Sequence, residues 1–337
     1  MVLFNVLSNV KAVDGQLQLS SYLDSNVRET VSASDPTIGL VLRGRLGHSL
    51  HRPRSSIFGE FSGQTNLDPL FREETKLIVT GDLGASYALS EAVRIQGQLG
   101  HFSKSFYDRT GSYRWNDYRL QLEFSPEPRY SAWWIYLERN KTLELTNRYR
   151  FVERSWELRG RYQPGRRILI EGSVGKAAIV HRDIFAVRIP GDTASMPLLI
   201  PQEDTGWEGS FHLRYISKII IGTRLGRANF RSNSVIGAYE LSSYQVYLSG
   251  QVGESVYYHA SFRRVKKDYS YPSTLGDSSP YRDPEEPDQD LAHFRLEKVM
   301  GDRLVGYFQV SRLRNETVLN QHYYAKTLLE TGIKYRF

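Results

Sequence analysis

Polar and apolar residues alternate along most of this chain. The final segment shows it most plainly. Tyr323, Ala325, Thr327, Leu329, Thr331, Ile333, Tyr335 and Phe337 share one face, and Tyr324, Lys326, Glu330, Lys334 and Arg336 share the other. Successive side chains of a strand point to opposite sides, so this period of two predicts strands with one apolar and one polar face. A helical period is nearly absent. The pattern predicts sixteen strands, near 15–25, 36–49, 54–65, 76–89, 92–104, 117–126, 129–139, 148–163, 166–179, 205–216, 218–230, 236–252, 255–268, 290–300, 303–314 and 322–337. They exceed the ~5–6 residues common in soluble sheets and suit the ~9–11 that a tilted strand needs to cross a bilayer.

The connections alternate short and long. Short ones are expected at His51 to Pro53, Ser90-Glu91, Glu127-Pro128, Pro164-Gly165, Ser217, Gly253-Glu254 and Gly301-Asp302, several of them two-residue hairpin turns. Long ones are expected at 26–35, 66–75, 105–116, 140–147, 180–204, 231–235, 269–289 and 315–321. Short turns on one rim and long loops on the other predict an all-β fold: a transmembrane, antiparallel, up-and-down barrel of about sixteen strands with short periplasmic turns and long extracellular loops. No helical layer is predicted that could cover the apolar faces, and the hydrocarbon region admits only helical bundles and closed barrels. Residues 1–13 are expected to be a separate N-terminal segment, a remnant of a signal, a linker or an ordinary terminus, and 14–337 a single barrel domain.

Composition sharpens this picture. The chain of 337 residues has no cysteine, which excludes a disulfide framework, a Cys-ligated metal and a thiol nucleophile. Mean hydropathy is −0.45, yet aromatics make up 12% of residues and Tyr alone contributes 22. Tyrosine has an apolar body and a polar tip, which suits a surface partly in lipid and partly in water. Net charge is +7, but the basic residues are spread among acidic ones, so no nucleic-acid partner is expected. Apolar faces end in aromatics such as Tyr118 and Phe124, Trp156 and Tyr162, and Trp207 and Tyr215, as interfacial girdles would.

The chain ends in Tyr335-Arg336-Phe337 behind an alternating apolar strand. This resembles the C-terminal signature of Gram-negative outer-membrane β-barrel proteins. The resemblance implies a multi-pass barrel in the bacterial outer membrane, with Tyr335 and Phe337 as the candidate signal for the barrel-assembly machinery. It also implies outer-membrane lipid and lipopolysaccharide as surroundings. General trimeric porins share the strand count but carry a long third loop folded into the lumen; the third loop here, about 105–116, is short.

Chemistry is sparse. Gly-x-Ser-x-Gly is absent and no Ser, His and Asp residues form a nucleophilic arrangement, so neither an enzyme nor a catalytic residue is expected. No cofactor or metal ligand set is expected, since His101, His212, His259 and His293 fall on different strands. His181, Arg182 and Asp183 begin the longest predicted loop. The acidic run Asp283 to Asp290 lacks the order of a dedicated calcium loop and reads as a solvated loop. Arg263, Arg264, Lys266 and Lys267 stand where a strand is expected to leave the membrane, either to contact lipopolysaccharide phosphates or to snorkel towards the interface.

The polar faces predict a lumen lined by Arg43, Arg45, Arg94, Arg119, Glu123, Arg159, Arg161, Glu208, Arg214, Arg224, Arg263, Arg295 and Glu297. A lumen with this excess of Arg suits a porin-like channel with a weak preference for small anionic solutes. Two other functions fit the same barrel. One is an export or assembly component, as in polysaccharide secretion. The other is a structural barrel whose loops 180–204 and 269–289 bind a periplasmic or surface partner, with Tyr269, Tyr271, Tyr281 and Arg282 at that rim.

Overall fold

The computed structural model describes residues 14–25, 36–107, 112–144, 148–185, 200–234, 238–269, 289–315 and 324–337. The N-terminal segment 1–13, Tyr271, Tyr281, Arg282, Tyr323 and the acidic run from Asp283 to Asp288 lie outside them, with most of the loops expected at 26–35, 180–204 and 269–289.

The described chain forms sixteen strands: β1 (Asp14–Asp24), β2 (Thr37–His51), β3 (Ser55–Leu67), β4 (Lys76–Ala88), β5 (Val93–Phe106), β6 (Ser112–Glu127), β7 (Tyr130–Glu144), β8 (Arg148–Tyr162), β9 (Ile168–Phe185), β10 (Pro201–Ile216), β11 (Ile219–Ser232), β12 (Tyr239–Val252), β13 (Val256–Tyr269), β14 (Gln289–Val299), β15 (Leu304–Asn315) and β16 (Tyr324–Arg336). Each pairs antiparallel with its neighbours in sequence, and β1 pairs with β16 to close the barrel. Closure removes the sheet edges, which is what allows strands to cross a membrane. At one short turn, Gly253 takes a φ of 64°, the left-handed conformation that glycine adopts without a steric cost.

The strand ends agree with the sequence expectation to within three residues, except at the long-loop rim. There β6 begins at 112 instead of 117, β7 runs on to 144, β9 runs on to 185, and β10 begins at 201. In β6 and β7, Arg114, Asn116, Asn140 and Thr142 occupy outward positions in these extensions. There the outward face is polar while Tyr113, Trp115 and Leu143 face inwards, so the apolar residues change sides while the backbone pairing continues. The same extension moves His181, Arg182 and Asp183 out of a loop and onto β9.

The two faces of the sheet are inverted relative to a soluble protein. On β1, Leu17, Leu19 and Leu23 are 40–52% exposed, whereas Gln18, Ser20 and Asp24 on the other face are at most 5% exposed. The polar face is the concave one. Arg43 on β2 reaches Glu330 on β16 across β1, with Nη1 to Oε1 at 2.6 Å. Gln18 on β1 reaches the Tyr307 hydroxyl on β15 across β16 at 2.6 Å. Strands two apart lie about 9.5 Å from one another, so such contacts form only where side chains converge inside the curve.

Outside, apolar side chains form a belt bordered by aromatic rings. On β6 it runs from Phe124 through Leu122 and Leu120 to Tyr118, and on β10 from Tyr215 through Leu213 and Phe211 to Trp207, all exposed. Above the belt, towards the long loops, outward positions are charged and paired: Glu138 with Arg154, Arg227 with Glu240, and Lys266 with Asp268. An apolar band with aromatic girdles and a polar interior is the architecture of a transmembrane barrel. The basic run on β13 is divided by this geometry, because Arg264 and Lys266 face outwards while Arg263 and Lys267 face inwards.

Candidate functional site on the inner wall

Antiparallel partners share a face, so the register assigns every strand residue to the inner or outer wall. Arg43, Arg45, Arg94, Arg119, Glu123, Arg159, Arg161, Glu208, Arg214, Arg224, Arg263, Arg295 and Glu297 all stand on the inner wall. They do not form one site. The barrel divides them among separate sectors.

The first sector is the seam where β1 meets β16. The Glu330 carboxylate is 3% exposed and accepts hydrogen bonds from Arg43 Nη1, Ser20 Oγ at 2.8 Å and the Tyr307 hydroxyl at 2.6 Å. Beside it, Glu297 is paired with Arg295 and Lys334. The Arg295 guanidinium lies 4.3 Å from the centre of the Tyr307 ring, a cation–π contact that continues the network. Glu330 is noticeable in the sequence only as one polar residue of an alternating strand; its partners lie up to 312 positions away.

The second sector spans β5 to β8 near the long-loop rim. Phe102 and Trp115 stack at 3.8 Å with ring planes 6° apart. Lys141 lies 5.3 Å from the Tyr113 and Trp115 ring centres and 5.4 Å from that of Phe151. Arg139 forms a two-pronged pair with Asp117. None of these aromatic residues was expected as part of the lumen. Their signal in the sequence, Tyr113 and Trp115 alternating with polar residues, reads equally well as an outer girdle until the register decides the face.

The third sector lies on β9 to β14. Gly222 on β11 has no side chain, so the Tyr247 ring lies flat over it, where a Cβ would collide with the ring. This close approach lets the Tyr247 hydroxyl reach across β11 to His212 Nε2 at 2.8 Å, while His212 Nδ1 stands 3.0 Å from the Glu171 carboxylate. Further round, His259 meets Ser249 at 2.7 Å, His293 meets Ser311 at 3.0 Å, and the two imidazole rings are 5.8 Å apart. Histidines far apart in sequence are thus neighbours in space. His101 instead faces outwards against Asn116. Among the described residues, no group of three His, Asp or Glu is arranged to hold a metal ion.

His181 on β9 is buried against Asp204 on β10, Nε2 to Oδ2 at 2.8 Å, and Asp183 pairs with Arg150. These two residues tie neighbouring strands together at the rim.

No protein-family model matches the sequence, and neither does any curated protein. Solved structures do. OmpF of Salmonella typhi, in complex with daunomycin, superposes with a TM-score of 0.55 over 96% of this chain and 97% of that one, at 10% identity. OmpT of Vibrio cholerae, expressed in the outer membrane, gives 0.51 over 96% and 97%, at 12% identity. This chain has the outer-membrane β-barrel fold. A loop-deletion mutant of the Vibrio cholerae OmpT matches it over 97% of this chain and 99% of that chain, with a TM-score of 0.50 at 12% identity. In the barrel described here only residues 107–111 separate β5 from β6, so the third long connection is a short one.

Proposed function

We propose that this barrel is a passive channel for small solutes with a preference for anions. Barrels of 16–18 strands enclose an aqueous lumen. The observation that carries the reading is the residual charge of the inner wall. Several inner carboxylates are already engaged: Glu330 by Arg43, Glu60 by Arg45, Asp117 by Arg139, and Glu297 by Arg295 and Lys334. Arg94, Arg119, Arg161, Arg214, Arg224 and Arg336 have no carboxylate within ion-pair distance among the described residues, and they outnumber the inner carboxylates Asp82, Glu123 and Glu208, which likewise have no cation within that distance. Charge that is not neutralised by a neighbour is what a passing ion meets.

The test is the reversal potential of the refolded protein in a planar bilayer under a tenfold gradient of potassium chloride. The expected sign is that of chloride crossing faster than potassium. A clear preference for potassium would overturn the proposal. Outside, Arg264 and Lys266 on β13 and Arg312 and Arg314 on β15 face outwards above the apolar belt, and we place the phosphates of lipopolysaccharide against them.

A further inference from the structure

Arg214 on β10 and Arg224 on β11 are close neighbours on the inner wall. Arg214 pairs in register with Gly222, two residues before Arg224, so their backbones stand in the diagonal relation that brings long side chains within reach. Gly222, the register partner of Arg214, lies beneath the Tyr247 ring. That ring is fixed in place by Gly222 beneath it and by His212 at its tip. The nearby carboxylate of Glu171 stands 3.0 Å from His212 Nδ1. No ion pair joins it to either arginine among the described residues. The Arg214 Nε atom is buried and has no hydrogen-bond partner among the described residues. Neither Arg214 nor Arg224 has a carboxylate within ion-pair distance among the described residues, so both charges remain available to an anion in the lumen. Arg224 beside it is exposed to the lumen.

We propose that Arg214 and Arg224 form an oxyanion station on the inner wall, which takes the phosphate-type group of a solute in transit. Two planar guanidinium forks on neighbouring strands offer paired N–H donors to tetrahedral oxygens, an arrangement that guanidinium serves better than a lone ammonium. The station rests on the channel reading and deepens it by naming the class of solute. A chloride ion can sit on one N–H pair, but a tetrahedral oxyanion engages both forks at once, so the station favours oxyanions over simple halides.

The probe is inorganic phosphate, and two measurements separate the station from the channel. In bilayers, phosphate added to a chloride-carrying channel is expected to block it saturably. The double variant Arg214→Gln/Arg224→Gln is expected to raise the half-blocking concentration at least tenfold. A charge-matched variant elsewhere on the wall, Arg94→Gln/Arg119→Gln, is expected to shift it less than twofold. Equal weakening by the two variants would mean a general field and would overturn the station. Calorimetric titration of phosphate into detergent-refolded protein reads binding without conduction. If bilayers stay silent but the wild type binds phosphate and the double variant does not, the station stands and the channel falls. If the wild type binds no phosphate, the station falls whatever the bilayers show. Should the double variant not fold, Arg224→Gln alone carries the same test, since its side chain stands free in the lumen.

Discussion

Replacing Glu330 by alanine is expected to loosen the closure of the barrel. The residue lies on β16, and its carboxylate takes hydrogen bonds from β1, β2 and β15 through Ser20, Arg43 and Tyr307. It therefore joins four strands across the seam, the one pairing between the two ends of the chain. Removing one partner of a buried ion pair costs ~3–5 kcal/mol, because the other charge is left without compensation. Arg43 is 30% exposed and keeps Gln64 as an acceptor at 2.7 Å, so its charge is partly solvated after the change. Tyr307 keeps Gln18 as a donor, but its own proton loses its acceptor. We therefore expect a loss of about 3 kcal/mol, at the lower end of that range. The assay is urea unfolding in lipid vesicles followed by the fluorescence of Trp115, Trp133, Trp134, Trp156 and Trp207. The midpoint is expected to fall while the slope, which reports the surface exposed on unfolding, stays constant. The double variant Arg43→Ala/Glu330→Ala is expected to lose less than the two single variants added together, by about 1 kcal/mol or more. A wild-type midpoint for Glu330→Ala, or strict additivity in the double variant, would refute the role assigned to the seam.

Two further outcomes follow from the same geometry. Leu122 faces outwards in the apolar belt of β6, while Gln121 beside it faces inwards. Leu122→Arg is expected to cost ~2–4 kcal/mol in vesicle unfolding and Gln121→Arg close to nothing; equal losses would contradict the assignment of faces. Phe337 packs its ring against Gly15 on β1 and exchanges backbone hydrogen bonds with it. If its main role is to signal assembly, Phe337→Ala will lower the amount of folded barrel in cells far more than the yield of refolding in detergent; a matching loss in the two would make it a stability residue.

The period-two pattern was enough to state the number of strands, most of their ends and which side chains share a face. Those are local properties, since a strand places neighbours on opposite sides whatever it pairs with. It failed at the long-loop rims of β6, β7, β9 and β10, where the outward face turns polar and, on β6 and β7, apolar side chains move to the inner face. It also treated His212, His259 and His293 as unconnected, because sequence spacing carries no information about lateral neighbours.

What only the tertiary structure decided is which charges meet. Arg43 and Glu330 are separated by 287 positions, and they touch because closure brings the first strands beside the last. Tyr247 reaches His212 only because Gly222 leaves the intervening strand bare and the wall is concave. The alternation of the sequence therefore determined that the polar residues lie on one wall. Register and curvature, which depend on every strand at once, decided which guanidinium groups are neutralised and which stand open to the lumen.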